Sequence, residues 1–333
     1  HRIGRVGFVE RENATIMNSS LGKLADKVIS SFKGALKKLN INSPFYISQN
    51  DGTLMSADIV KNYPVLTFAS GPTNSMRGAA FLSKKNDAIV VDIGGTTTDF
   101  GVIKEGFPRE SAIPVDIGGV RTNFRMPDLI SIGLGGGSII RETNEGVSVG
   151  PDSVGFKLDK ESIIFDGKTL TTSDVAVASG FATFGKKENV AQLDSKLIKN
   201  VHSKIKDMIE DGIDRVKLSK ENVPVILVGG GSILVNGNLK GASEVLIPEH
   251  SDVANAIGAS LAQAGGEIDK IYSYSEMGRE KSIESAKEDA VDRALQAGAK
   301  KNTIKIIELE EIPLSYLPSG SVRIHVKAVG DIF

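Results

Sequence analysis

Cysteine is missing from this chain altogether. That one absence removes disulfides, thiolate zinc sites, iron–sulfur clusters and a cysteine nucleophile together, and it fits a cytoplasmic setting. Histidine is nearly as scarce. His1, His202, His250 and His325 are the four, and none stands in the His-x-His spacing that metal-dependent hydrolases of that type need. Excess charge of either sign is lacking too: 40 basic residues stand against 41 acidic ones, a formal net charge of -1. Nothing in that balance draws the whole chain to nucleic acid or to an acidic membrane. No apolar run approaches the eighteen or so residues of a membrane span, and the opening "HRIGRVGFVERENATIMNSS" holds no secretory hydrophobic region. Without such a region, the N-x-Thr and N-x-Ser triplets at Asn13 and Asn18 read as chance matches.

What the chain does have is apolar substance, 40% of its 333 residues, and 36 glycines, enough for two compact units. Residues 20–40 space their apolar side chains as an amphipathic helix with a lysine-rich opposite face. "SPFYISQNDGTLMS" reads as a strand entering an Asp51-Gly52 turn, and "PVLTFASGPTNSMRGAAFL" as an extended segment, a Gly-Pro turn and a short helix. Residues 88–120 read as a three-stranded antiparallel meander. "LISIGLGGGSII" is a strand ending in glycines, and helices resume at Ser173 after a polar region without clear signals. Leu193, Leu197, Val201, Ile205, Ile209 and Ile213 mark a long helix within residues 189–217. "VPVILV" and "SEVLIP" are strands, and "SDVANAIGASLAQA" is a helix capped by Ser251 or Asp252. Beyond residue 270 a charged helix and two strands form a C-terminal appendage.

The stretch "AIVVDIGGTTTDFGVIKEG" carries the chemistry. Gly94 and Gly95 permit close backbone approach, Thr96, Thr97 and Thr98 add hydroxyl donors, and successive N–H groups at such a turn can converge on a phosphate. Two β-prone runs flank it, so the turn joins strands and does not open a helix as a Walker loop does. A carboxylate at Asp92, on the strand end, would repel bare phosphate. Its presence there makes sense with a hydrated magnesium ion between them. An ordinary tight hairpin with Asp/Thr turn chemistry is the alternative. Gly229, Gly230, Gly231 and Ser232, after the buried strand "VPVILV", form either a close-packing turn or bare backbone against which a flat ring can lie.

The order of these parts resembles the second lobe of the actin-like ATPases, whose first hairpin binds nucleotide phosphates and whose later Gly-Gly turn abuts adenosine. More narrowly, "RENATIMNSS", "SGPTNSMRGAAF", "VVDIGGTTTDFGVI" and "IGLGGGSII" resemble the A-type protein of the hydantoinase/oxoprolinase family, from about residue 7 to 265. The resemblance implies an α/β fold: a ribonuclease H-like, actin-like lobe with an antiparallel meander and mixed sheet. It implies a remnant of the first lobe and connecting segment over residues 1–80, with Ser70-Gly71-Pro72 in that segment, a nucleotide-binding second lobe over 81–268, and the appendage over 269–333. ATP and magnesium are the implied cofactors, with Asp92 holding magnesium through water, residues 94–98 on the phosphates and residues 229–232 bordering adenosine.

Members of that family use ATP to open cyclic amides such as hydantoins or 5-oxoproline, and relatives serve as ATP-using subunits of ketone carboxylases. The implied partners are therefore a small cyclic amide and a B-type second subunit or a second copy. A non-catalytic nucleotide switch is the competing class. Two departures stand out. The family's central cysteine after Val-Gly-Pro is replaced by "SVGPDSVGFKL", and a single "DIGGT" occurs where full-length members carry two such hairpins, so the chain is expected to be a fragment lacking the first-lobe hairpin.

Overall fold

The computed structural model describes residues 3–4, 7–111, 115–124, 126–144, 146–261, 263–315, 317 and 320–332. They fall into two compact units, each discontinuous in sequence. One comprises His1–Ser70, Glu110–Met126 and Leu261–Phe333; the other comprises Gly71–Arg109 and Pro127–Ser260.

The second unit is built on a mixed sheet whose strands run, in spatial order, Ala242–Leu246, Val223–Val228, Ala88–Ile93, Thr98–Lys104 and Phe107–Pro108. The first three are parallel neighbours, and Thr98–Lys104 returns antiparallel after the Gly94–Thr97 turn. Alternate residues of the central strands face opposite ways. Ile89, Val91, Phe100, Val225 and Leu227 pack with Val201, Ile205, Ile209 and Ile213 of the helix Ser195–Val216. That helix is the long one expected from its apolar stripe, except that it begins at Ser195: Leu193 lies before it and packs with Ile164, Val177 and Val190 instead. Gly212 is required there, because a β-carbon would lie 2.3 Å from the Phe100 ring. On the opposite face Val90, Ile226 and Val228 pack with Met76, Ala79 and Ala80 of the helix Ser70–Ser83 and Ala254 of the helix Ala254–Ser260. These two helices touch backbone to backbone: β-carbons on Gly78 and Gly258 would sit 1.9 and 1.8 Å from carbonyl oxygens of the facing helix.

Several expectations are corrected here. The meander over residues 88–120 is real only to Pro108; residues 115–122 instead form a separate short hairpin in the first unit. The strand that runs beside Thr98–Lys104 for four residues is Leu129–Ile132. Gly71 and Pro72 do not make a turn but lie in the first turn of the helix Ser70–Ser83, where proline's missing N–H costs nothing. The helix expected through residue 264 stops at Ser260, and Gln263–Ser273 is an eleven-residue strand.

The first unit has a five-stranded sheet in the order Tyr46–Ser48, Leu54–Ser56, Gln263–Ser273, Ser321–Asp331, Lys305–Pro313. The helix Arg279–Ala297 covers one face with an alanine stripe, Ala286, Ala290 and Ala294, against Ile268, Ile324, Val326 and Ala328. Gly266 lets it come close, since a β-carbon there would meet the Ala294 nitrogen at 2.1 Å. The residues read as a C-terminal appendage thus share a sheet with Tyr46–Ser48 and Leu54–Ser56. Lys327, 2% exposed, ties the segments of this unit together: its ammonium lies 3.1 Å from Asp51 and 3.7 Å from Glu110. The helix Val9–Lys38 begins well before residue 20; its first turns fully bury only Ala14, so no apolar period marks them in the sequence.

Candidate active site

Asp92, the last residue but one of its strand, lies directly beside Val228 of the parallel neighbour and opposite Asp99 of the antiparallel one. The two glycine turns therefore leave the sheet at the same end, the carboxyl ends of adjacent parallel strands, where α/β sheets commonly hold ligands. They are in contact. Gly229, at φ 84°, lies so near that a β-carbon would meet the Asp92 carboxylate and the Ile93 carbonyl at 2.4 Å, and one on Gly231 would meet the Gly94 carbonyl at 2.9 Å. The positions singled out in sequence more than 130 residues apart thus form one place.

Within it, the glycines do two different things. Gly229 and Gly231 are demanded by packing. Gly95 and Gly230 are not: both are exposed, neither has positive φ, and a β-carbon on either meets nothing within 4 Å. Bare backbone with open space in front of it suits a ligand that must come close. The threonines divide likewise. Thr96 and Thr97 are exposed, whereas Thr98 is fully buried and its hydroxyl donates to the Leu134 carbonyl at 2.7 Å. Thr98 serves the fold with its side chain. Ser232 is also buried, its N–H closing a turn onto the Gly229 carbonyl at 3.1 Å.

The turn is held from behind by the other glycine run. Gly94 N–H donates to the Thr97 carbonyl at 2.9 Å, while the Gly94 and Gly95 carbonyls accept from Gly136 and Gly137 at 2.9 and 2.7 Å. Gly135 can have no side chain, because a β-carbon would lie 2.5 Å from the Thr96 nitrogen. Behind this run the Thr172 hydroxyl donates to the Gly135 carbonyl, and Asp174, completely buried, accepts from Ile164 N–H and from both the N–H and hydroxyl of Thr171. The sequence repeats Gly-Gly-Gly-Ser at 135–138, within "LISIGLGGGSII", with nothing local to give it a role. The signal was there, a second glycine run within forty residues of the first, but its partner was not legible.

Asp92 and Asp99 form a like-charged, half-buried pair. Burial is the main cause that pushes each carboxyl above its usual value; at Asp92 the Asp99 charge adds to the rise. Hydroxyls oppose it, Ser75 donating to Asp92 and Ser131 to Asp99. Ser75 is itself held, its oxygen accepting from Asn255 at 3.2 Å while the same amide donates to the Gly71 carbonyl at 2.8 Å. Ser75 and Asn255 were not picked out from the sequence, since a serine and an asparagine on separate helices leave no pattern.

The histidines lie elsewhere. His202 bonds the Ser179 hydroxyl at 2.7 Å and packs against Phe181, burial lowering its pKa; His250 is exposed beside Glu249. Among the described residues, Glu308, Glu310 and His325 are close enough to share an ion, and they belong to the first unit.

Residues 11–213 match the hydantoinase/oxoprolinase family. The chain belongs to that family. Its similarity to the acetophenone carboxylase gamma subunit of Aromatoleum aromaticum is 27% identity over 184 residues, 54% of this chain and 25% of that subunit. An uncharacterised protein of Schizosaccharomyces pombe is 27% identical over 229 residues, 65% of this chain and 18% of that protein. The hydantoinase/oxoprolinase chain thus spans about a quarter or less of the curated relatives it matches. Among solved structures, the ATP-dependent caprolactamase from Pseudomonas jessenii superposes with a TM-score of 0.73 at 16% identity, over 98% of this chain and 58% of that one. Nucleotide-free acetone carboxylase superposes at 0.64 and 16% identity, over 91% and 55%. At those identities the likeness is one of fold, and the fold agrees with the α/β class read from the sequence.

Proposed function

We propose that this hydantoinase/oxoprolinase chain carries the nucleotide site of an ATP-dependent enzyme that opens cyclic amides of the hydantoin or 5-oxoproline type. The observation that carries this reading is the meeting of Asp92, the 94–98 turn and the 229–232 turn at one sheet end, with Gly95 and Gly230 bare and open in front. Those residues fit a magnesium nucleotide. Asp92 would hold the cation through water, Gly95, Thr96 and Thr97 would receive the phosphates on N–H and hydroxyl donors, with Gly94, its N–H taken by the Thr97 carbonyl, and Thr98 bracing the turn, and Gly229, Gly230, Gly231 and Ser232 would border adenosine. ATP supplies a phosphoryl group whose transfer to an amide oxygen makes a poor leaving group usable. This chain's residues bind and orient: donors fixed by the 135–137 run need no rearrangement as charge develops. A second reading, an ATP-using subunit of a ketone carboxylase, is supported by the similarity to the acetophenone carboxylase gamma subunit.

Two results are expected. The chain holds a single "DIGGT" hairpin, and losing one set of phosphate donors costs on the order of a hundredfold per major contact. Alone, it should bind magnesium ATP without substrate-stimulated turnover. An ATPase assay with hydantoin and then 5-oxoproline checks this, and stimulated turnover of about one per second or faster would overturn the placement of the site. Ser75→Ala should also weaken magnesium ATP binding about three- to tenfold, because it removes the hydroxyl that favours ionised Asp92. Since Asp92 is already raised, the loss should be larger at pH 6 than at pH 8. Calorimetry at both values decides it: an equal loss means Ser75 merely supports the helix.

A further inference from the structure

A pocket of about 480 Å³ in the second unit carries an inference that does not depend on the nucleotide reading, for neither Asp92 nor the 94–98 and 229–232 turns line it. Its floor is core. Ile205, Leu234, Val235 and Leu239 are all buried, and they belong to the cluster that packs the helix Ser195–Val216 onto the sheet. Half-buried Phe181 and Ile198 extend that floor. A pocket that opens directly onto core side chains gives a ligand's hydrocarbon the contacts of a protein interior.

The polar lining is one-sided. Lys199, Ser203 and Lys206 stand four and three residues apart on one face of that helix, and all three are exposed. No carboxylate among the described residues lines the pocket. Lys206 pairs with Glu210 at 3.8 Å, whereas Lys199 has no acidic partner among the described residues. His202 adds no charge. The Ser179 hydroxyl donates to the Val175 carbonyl at 2.8 Å, so its oxygen accepts from the imidazole Nε2–H at 2.7 Å, and burial lowers the pKa of the ring. The neutral imidazole packs against Phe181 as part of the wall. Cations at the rim of an apolar floor fit a ligand with a hydrocarbon body and a single anionic head. An amine would meet like charge, and the ammonium of an amino acid would find no carboxylate there.

We propose that this pocket binds a small apolar carboxylate, its hydrocarbon on Leu234, Val235 and Leu239 and its head at Lys199 and Lys206. The test titrates octanoate, octylamine and octanol into the 333-residue chain by calorimetry. Octanoate should bind with a Kd below about 1 mM, and octylamine about tenfold more weakly or worse. Replacing both lysines, Lys199→Gln with Lys206→Gln, should weaken octanoate about tenfold and leave octanol unchanged. Both positions are exposed, so circular dichroism should not change. The place is read by nuclear magnetic resonance: octanoate should shift the ring signals of His202 and spare those of exposed His250. Absent octanoate binding, equal binding of octylamine, or indifference to the lysine substitutions would overturn the proposal. So would unmoved His202 signals, or displacement of octanoate by adenosine, which would assign the pocket to the base of a nucleotide.

Discussion

Replacing Lys327 by methionine is expected to destabilise the first unit by about 3–5 kcal/mol, the usual cost of removing one partner from a buried ion pair. The ammonium is 2% exposed and sits between Asp51 and Glu110, both 12% exposed in their side chains. Burial alone would pull Lys327 down, yet the two carboxylates outweigh it and leave the group raised. Burial would likewise raise Asp51, but Lys327 and the Thr53 hydroxyl and N–H, at 2.7 and 2.9 Å, hold it low. Methionine would leave two carboxylates buried without their cation. The pH dependence has a definite sign. Asp51, depressed, contributes stability that is present above its unfolded value near 3.9 and lost as pH falls through the folded one. Lys327, raised, contributes below its unfolded value near 10.4, and that is lost as pH rises through the folded one. A plateau between those limits is expected, and the variant should lack both limbs. Hydrogen exchange of residues 321–331 measures the loss in this unit by itself; a change under about 1 kcal/mol would mean the carboxylates find water instead.

Gly95→Val is expected to weaken magnesium ATP binding about a hundredfold or more, roughly 2.7 kcal/mol, while leaving the melting transition in place. The separation of these effects follows from the open position: a β-carbon at Gly95 touches nothing within 4 Å, so the new methyls fill only the space in front of the turn. Gly229→Val is the contrasting variant. Its φ of 84° and the 2.4 Å approach to Asp92 and Ile93 mean that it should damage the sheet end itself. Asp92→Asn should spare the fold and lower affinity mainly when magnesium is present. Calorimetry with and without magnesium, beside circular dichroism, reads all three. Unchanged affinity in Gly95→Val and Asp92→Asn, with intact spectra, would remove the phosphate assignment.

Much of the candidate site's geometry is legible in the sequence because it rests on local signals. Branched residues either side of Gly94 and Gly95 dictate a hairpin, and the four-residue spacing from Leu197 to Ile213 dictates a helix with one buried stripe. What escaped was long-range. Gln263–Ser273 alternates correctly, but its inward residues Ala264 and Gly266 are small, chosen to admit the helix Arg279–Ala297, and small residues give no strand signal. The third strand of the meander was misplaced because Leu129–Ile132 competes for the same edge, and the pairing of Gly101 with Leu129 and of Thr98 with Ile132, 28 and 34 residues apart, has no local trace. Thr98 looked like its two neighbours in sequence; only the pleat of its strand turns its hydroxyl inward to Leu134.

The three-part construction of the first unit has a consequence for synthesis. Ser321–Asp331 lies inside the sheet, between Gln263–Ser273 and Lys305–Pro313, and the pairing of Leu54 with Ala264 spans 210 residues. On a ribosome moving at about 5–20 residues per second, the segment ending at Ser70 waits tens of seconds before its last neighbours emerge. The second unit has all its residues by Ser260 and can close its core first. During that interval Ile29, Met55 and Val60, later buried together, have no completed sheet to rest on. The nascent chain then carries a folded second unit and an unfinished first one, the form in which a holding chaperone would meet it.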